Sequence, residues 1–123
     1  MDRDGRGARA LIDVAPARFE AMVGEALDGL PPELGRLMRN VAVVVDAHGG
    51  DGTLLGLYQG VPLTERTNEY SMVLPDRITI FREAILAICH TEDDVVREVR
   101  TTVVHEVGHH FGIDDRRLHD LGW

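Results

Sequence analysis

The sequence of 123 residues contains a single cysteine, Cys89, so no internal disulfide can form. This is compatible with a reducing compartment. Apolar runs such as Val41–Val45 are far shorter than the roughly 20 residues that a membrane-spanning helix needs. The charged N-terminal segment is not followed by the apolar run of a signal peptide. We therefore expect a cytoplasmic protein with no membrane segment.

Basic residues are also scarce, with 13 arginines and lysines against 21 acidic residues, and the formal net charge is -8. Because such a chain repels phosphate backbones, a nucleic-acid partner is not expected. Hydrophobic residues make up 44% of the chain and charged residues 28%, as in ordinary globular domains. The length and patterning predict a tail over residues 1–10 and one domain over 11–123, which we expect to be monomeric.

Helical and strand patterns alternate along the chain, which predicts an α+β fold. Apolar residues recur at helical spacing after Pro16, and continuous or alternating apolar runs are typical of strands. The predicted helices cover about 16–30, 32–38, 83–89 and 91–111, with one last turn at 116–121; the predicted strands cover 41–45, 54–58 and 77–81; a long loop is predicted over 63–75.

The helix near the C-terminus has clear start and stop signals. Thr91 can cap its first turn, and the acidic residues of Glu92–Asp94 favour the positive end of the helix dipole. Gly112 is expected to end it, because glycine readily adopts the positive φ that follows many helices.

This helix carries His105, Glu106 and His109, a His-Glu-x-x-His motif. Residues four apart lie on one face of a helix, so the two imidazoles can bind one Zn²⁺. Glu106 is rotated around the helix and can act as the catalytic general base on water at the metal, without being a ligand.

A third metal ligand is expected beyond the turn at Gly112. The spacing His-Glu-x-x-His-x-x-Gly-x-x-Asp places Asp115 there, and its carboxylate is our predicted third ligand. Asp114 is the alternative, or neither carboxylate binds. The extended pattern is much more specific than the two-histidine motif alone.

These residues resemble the zincin metallopeptidases, and the extension resembles the metzincin pattern with Asp in place of the third His. The sequence is more similar still to a bacterial family of zincin-like metallopeptidases of minimal size. The resemblance covers roughly residues 52–123 and includes Leu55–Tyr58, Leu74–Asp76, Ile80–Arg82 and His110–Asp115. It implies a small mixed sheet packed on an active-site helix, with additional N-terminal helices. It also implies a zinc site and a peptidase activity.

The resemblance has one departure, because metzincins carry a methionine-containing turn below the zinc. All four methionines of this chain precede the motif. The departure indicates that the lower subdomain, which closes the cleft of large metzincins, is missing. We therefore expect a peptidase or amide hydrolase that acts on peptides, unfolded proteins or small substrates rather than on folded proteins. The alternative function is a catalytically weak or inactive zincin-fold module that binds metal or protein, in which His119 or Asp120 could complete a closed four-ligand site.

Three further roles stay open from the sequence. The candidates for an oxyanion donor are Tyr58, Tyr70, His110 and His119. An extended peptide could pair with a sheet edge provided by the second or the third predicted strand. Gly108, inside the helix, serves either close helix packing or room for substrate.

Overall fold

The structure is a computed structural model that describes residues 12–60 and 76–120, without the side chain of Asp115. The predicted tail over 1–10, the whole predicted loop over 63–75 with Tyr70, and residues 121–123 lie outside the described residues. The described elements form a small α+β domain in which a mixed sheet packs against one long helix.

Two helices come first. Helix α1 (Pro16–Asp28) begins with a proline at its first position, and α2 (Pro32–Leu37) is followed by a 3-10 turn (Met38–Asn40). Proline suits a first helical position because its missing N–H would have no partner inside the helix there. Both starts agree with the prediction.

Three described strands form the sheet, in the order β1 (Val41–Asp46), β3 (Asp76–Phe81) and β2 (Gly56–Gln59). Strand β3 is central, parallel to β1 and antiparallel to β2, with Val43 opposite Ile78 and Tyr58 opposite Ile78 on the other side. The second and third predicted strands were both proposed as an edge for peptide pairing. For the third strand this prediction is wrong, because β3 is paired on both sides. β2 lies at one edge of the described sheet.

Helix α3 (Arg82–Leu86) follows β3 directly, then α4 (Glu92–His110), and α5 (Asp115–Asp120) ends the described chain. Thr91 accepts a hydrogen bond from the backbone N–H of Asp94, and the Asp94 carboxylate accepts one from the Thr91 N–H. This capping box fixes the start of α4 at the predicted residue.

The long helix α4 contacts both α1 and the sheet. It buries a stripe of valines four residues apart, since such residues lie on one face of a helix. These valines pack against Phe19 and Met22 of α1 and against Ile78 and Ile80 of β3; they are Val95, Val99, Val103 and Val107. Arg100 also donates a hydrogen bond to the carbonyl of Ala26 at 3.3 Å, which ties α4 to the end of α1.

Candidate metal centre and active site

His105 and His109 project from α4 beside each other, as their spacing predicts. Their ring centroids are 6.1 Å apart, and the ring planes make an angle of 80°. His105 is half-buried and His109 is exposed. The pair therefore stands at the surface end of the helix, where an ion or a substrate can reach it.

The two rings are near enough for a shared zinc ion after a small adjustment. Zinc binds a histidine nitrogen at about 2.0–2.1 Å, so the ring centroid stands about 3.2 Å from the metal. At the tetrahedral angle that zinc prefers, the two centroids would stand about 5.2 Å apart. The observed separation of 6.1 Å exceeds this by about 1 Å, so the two side chains would have to move closer to hold one ion.

The chain turns back after the histidines as expected. Gly112 has a φ of +78°, and the N–H of Ile113 donates to the carbonyl of Gly108 at 2.6 Å. Helix α5 then begins at Asp115. The side chain of Asp115 lies outside the described part of the structure, so its role as the third ligand stays a prediction.

The alternative ligand, Asp114, has another function in this turn. Its Oδ1 accepts a hydrogen bond from the backbone N–H of Arg117 at 2.9 Å. This is the contact of a residue that caps a helix N-terminus, here that of α5. Asp114 therefore caps the N-terminus of α5.

Among the side chains that the structure describes, no three His, Cys, Asp or Glu residues are grouped to hold a metal ion. In particular, His119 and Asp120 do not join His105 and His109 in such a group. The described residues thus provide two neighbouring imidazoles, to which a carboxylate after the turn would have to be added.

Glu106 is held by the edge strand. Its Oε1 accepts a hydrogen bond from the backbone N–H of Tyr58 at 3.1 Å. In an antiparallel pair, successive residues turn their backbone groups alternately towards and away from the partner strand. Leu55 accepts from Phe81 of β3, so Tyr58 turns its N–H away from β3 and towards Glu106.

Strand β2 and helix α4 run beside each other with matched spacing. A Cβ atom placed on Gly56 would lie 2.6 Å from Cγ2 of Thr102, and one on Gly60 would lie 3.1 Å from Cε1 of His110. Between these contacts, Tyr58 meets Glu106. Two strand residues advance about 6.6 Å and four helix residues about 6.0 Å, so every second strand residue meets every fourth helix residue.

A second polar cluster lies at the end of α4. The Tyr58 hydroxyl donates to Oδ2 of Asp76 at 2.8 Å, and Nε2 of His110 lies 3.7 Å from the same oxygen. The rings of Tyr58 and His110 stack with centroids 3.9 Å apart. Tyr58 and His110, two of the four candidates for an oxyanion donor, thus lie against Asp76. His119, a third candidate, is exposed on α5.

Gly108 serves close packing. A Cβ atom there would lie 3.0 Å from Cδ1 of the fully buried Leu118. Of the two roles left open for this glycine, the structure favours the contact between α4 and α5 over room for substrate.

Two residues near the site were missed by the sequence analysis. Asp76 belongs to a segment of the family resemblance but received no role, because its contacts depend on how β3 is placed beside β2 and α4. Glu98 could have been found, since Glu98, Thr102 and Glu106 are four residues apart and share one face of the predicted helix. With Thr102 and Glu106, it lines a groove beside β2.

Comparison with known proteins gives the family relationship of the chain. A family model described as zincin-like metallopeptidase matches residues 38–123. A conserved hypothetical protein from T. thermophilus has a similar structure, with a TM-score of 0.53 and 23% identity over 80% of this chain and 94% of that one. At this identity the likeness concerns the fold alone. No curated protein matches the chain.

None of the helices in the described ranges has the length and apolar character needed to cross a membrane.

Proposed function

Since the chain belongs to the zincin-like metallopeptidase family, we propose that it is a zinc-dependent hydrolase of peptide bonds with its active site on α4. The observation that carries the proposal is the placement of His105 and His109 side by side, with Glu106 held next to them by Tyr58. This arrangement joins a metal-binding pair to a carboxylate that is fixed but not part of the pair.

His105 and His109 would hold the zinc, and Asp115 is the proposed third ligand. When bound, zinc would polarise a substrate carbonyl and lower the pKa of a coordinated water towards about 7. Three protein ligands leave a fourth position for water or substrate, as catalytic sites require.

Glu106 is the proposed general base. Its Oε1 accepts from the Tyr58 N–H, which leaves Oε2 to take the proton from the attacking water. The same oxygen can then deliver that proton to the leaving amine. Because a backbone donor holds Glu106, its orientation does not depend on a flexible side chain.

The proposed substrate is an extended peptide or an unfolded protein segment. The groove beside β2 is lined by His105 and Glu106, so an extended chain in it would lie next to the proposed base. The edge strand β2 remains the predicted place for peptide pairing. We also propose that the protein acts as a cytoplasmic monomer, where its single cysteine stays reduced.

The decisive experiment measures zinc and hydrolysis in the same preparation. We expect close to one zinc per chain after dialysis, and chelator-sensitive cleavage within a library of quenched fluorescent peptides. Zinc content near zero after loading would reject the metal site. Stoichiometric zinc with no cleavage in the library would reject the peptidase and favour a module that only binds.

A further inference from the structure

A groove of about 360 Å³ opens beside Glu106. One wall is the segment entering and starting β2, with Leu54, Leu55 and Gly56; the other is the face of α4 that carries Glu98, Thr102 and Glu106. Gly56 is what lets the strand come so close to Thr102, because any side chain there would overlap the Thr102 methyl. The groove thus leads away from the proposed reaction centre, along the helix.

The middle of the groove and its far end differ in chemistry. The middle is apolar, formed by the leucine side chains and the Thr102 methyl group. Its far end is the carboxylate of Glu98, which lies eight residues before Glu106 and therefore about 12 Å along the helix axis. Glu98 is half-buried, no arginine is among the residues that line the groove, and His105 lines it at the end near Glu106.

We infer that this groove binds a lysine or arginine side chain of the peptide, with the aliphatic stem between Leu54 and Thr102 and the cationic group at Glu98. The inference rests on the proposed function, since the groove is lined by His105 and Glu106 of the proposed active site. Lysine and arginine are the side chains that join a long apolar stem to a positive head. Such a residue would lie level with Thr102, about 6 Å along the helix from Glu98, and a short side chain there would not reach the carboxylate.

The charge of the groove supports this choice. A carboxylate that is partly removed from water gains more from a cationic partner than an exposed one does, because screening is weaker there. The net charge of -8 also attracts cationic peptides towards the protein. An acidic side chain in the same position would be repelled by both Glu98 and Glu106.

The test measures binding rather than turnover. Labelled peptides that differ at one position, with lysine, arginine, norleucine or glutamate, are titrated by fluorescence anisotropy into the Glu106→Gln variant, with and without zinc. We expect the lysine and arginine peptides to bind about fivefold more tightly than the norleucine peptide, as for a partly exposed ion pair. The preference should disappear in Glu98→Gln and turn towards the glutamate peptide in Glu98→Lys.

Glu25→Gln is the matched control. Glu25 is an exposed residue of α1 away from the groove, and its substitution changes the net charge by the same amount as Glu98→Gln. It should keep the preference. Equal binding of the lysine and norleucine peptides, a preference that survives Glu98→Gln, or no peptide binding at all would each overturn the inference.

The outcome is separable from that of the proposed function. Chelator-sensitive cleavage without any preference for basic residues would keep the peptidase and reject the lysine or arginine pocket. Selective binding of basic peptides without cleavage by the native protein would keep the lysine or arginine pocket and reject the peptidase.

Discussion

The backbone N–H of Tyr58 donates to Oε1 of Glu106 at 3.1 Å, although the two residues are 48 positions apart in the chain. This hydrogen bond joins the edge strand to the helix that carries both histidines. Because the donor belongs to the backbone, the contact survives any substitution of the Tyr58 side chain except proline. It depends instead on what residue 106 offers as an acceptor.

Glu106→Gln should therefore keep the fold and the zinc but lose hydrolysis. The amide oxygen of glutamine can still accept from Tyr58, whereas it cannot act as a base at neutral pH. We expect kcat to fall by roughly 10²–10⁴-fold with one zinc per chain retained. Zinc content and peptide cleavage on the same sample check this, and full activity in a preparation free of wild-type protein would rule out the proposed role of Glu106.

His109→Ala should release the zinc, and His110→Ala is its matched control. His110 is the next residue, but its ring stacks on Tyr58 and lies near Asp76. We expect zinc content after dialysis to fall close to zero in the first variant and to stay near one per chain in the second. Equal zinc loss in both variants would mean that the metal is not bound where we propose.

Gly56→Ala should destabilise the protein by about 1–3 kcal/mol, because the new methyl would overlap Thr102 and force β2 away from α4. Gly24→Ala in α1 is the control. It has open space around it and should gain up to about 1 kcal/mol from better helix propensity. Urea unfolding measures both, and a neutral Gly56→Ala would show that the strand can move without cost.

The Asp94 carboxylate of the capping box should make the stability of the protein depend on pH in the acidic range. The hydrogen bond from the backbone N–H of His90 is the main cause that lowers the pKa of Asp94, and the Thr91 N–H and Arg97 contribute. A lowered pKa means that the stabilisation is complete above the unfolded-state value of about 3.9 and is lost as the pH falls through the folded value.

Asp94→Asn should therefore be less stable than the native protein at pH 7, and this difference should shrink as the pH is lowered below about 4. Asp93→Asn, at the neighbouring position without a capping hydrogen bond among the described contacts, should show a much smaller difference. Urea unfolding at several pH values measures it, and a constant gap for Asp94→Asn would contradict the assignment.

Cys89 should be unreactive in the folded protein. Its side chain is 1% exposed, and burial raises the pKa of the thiol to about 11. At pH 8 only about one thiol in a thousand is then ionised, so reaction with a disulfide reagent should be slower than in the unfolded chain by at least about 100-fold. Comparable rates with and without denaturant would show that the thiol is accessible.

Local signals explain why most of the fold could be predicted. Proline at the first helical position, the Thr91 cap and the positive φ of Gly112 each act within a few residues, so the bounds of α1 and α4 follow from the sequence. The histidine pair follows from helical spacing alone. The family description agrees with the predicted class of fold.

Predicted bounds were less accurate where tertiary contacts decide them. The second strand begins at Gly56 rather than Leu54; a turn in which Thr53 bonds to the Asp51 carboxylate precedes it, and Leu55 makes the first hydrogen bond with β3. Helix α3 ends at Leu86 rather than near Cys89, since the N–H groups of Ile88 and Cys89 bond three residues back and tighten the last turn. Such competition between alternative hydrogen bonds is not visible in apolar periodicity.

The contacts of the site could be predicted only in part. Tyr58 and His110 were candidates by residue type, but their meeting at Asp76 depends on the register of β2 against β3, which the sequence pattern does not fix. The pairing of Glu106 with a backbone donor was also beyond prediction, because every residue other than proline has an N–H and none is distinguished by type.

The matched spacing between β2 and α4 restricts how the length of this chain can change. One residue inserted or deleted between Gly56 and Gly60 would turn the backbone groups of the following residues to the other side, so that the donor at position 58 would face β3 instead of Glu106. A one-residue change within α4 between Thr102 and His110 would rotate the carboxylate by about 100°. Insertions and deletions in homologues should therefore fall outside these two segments.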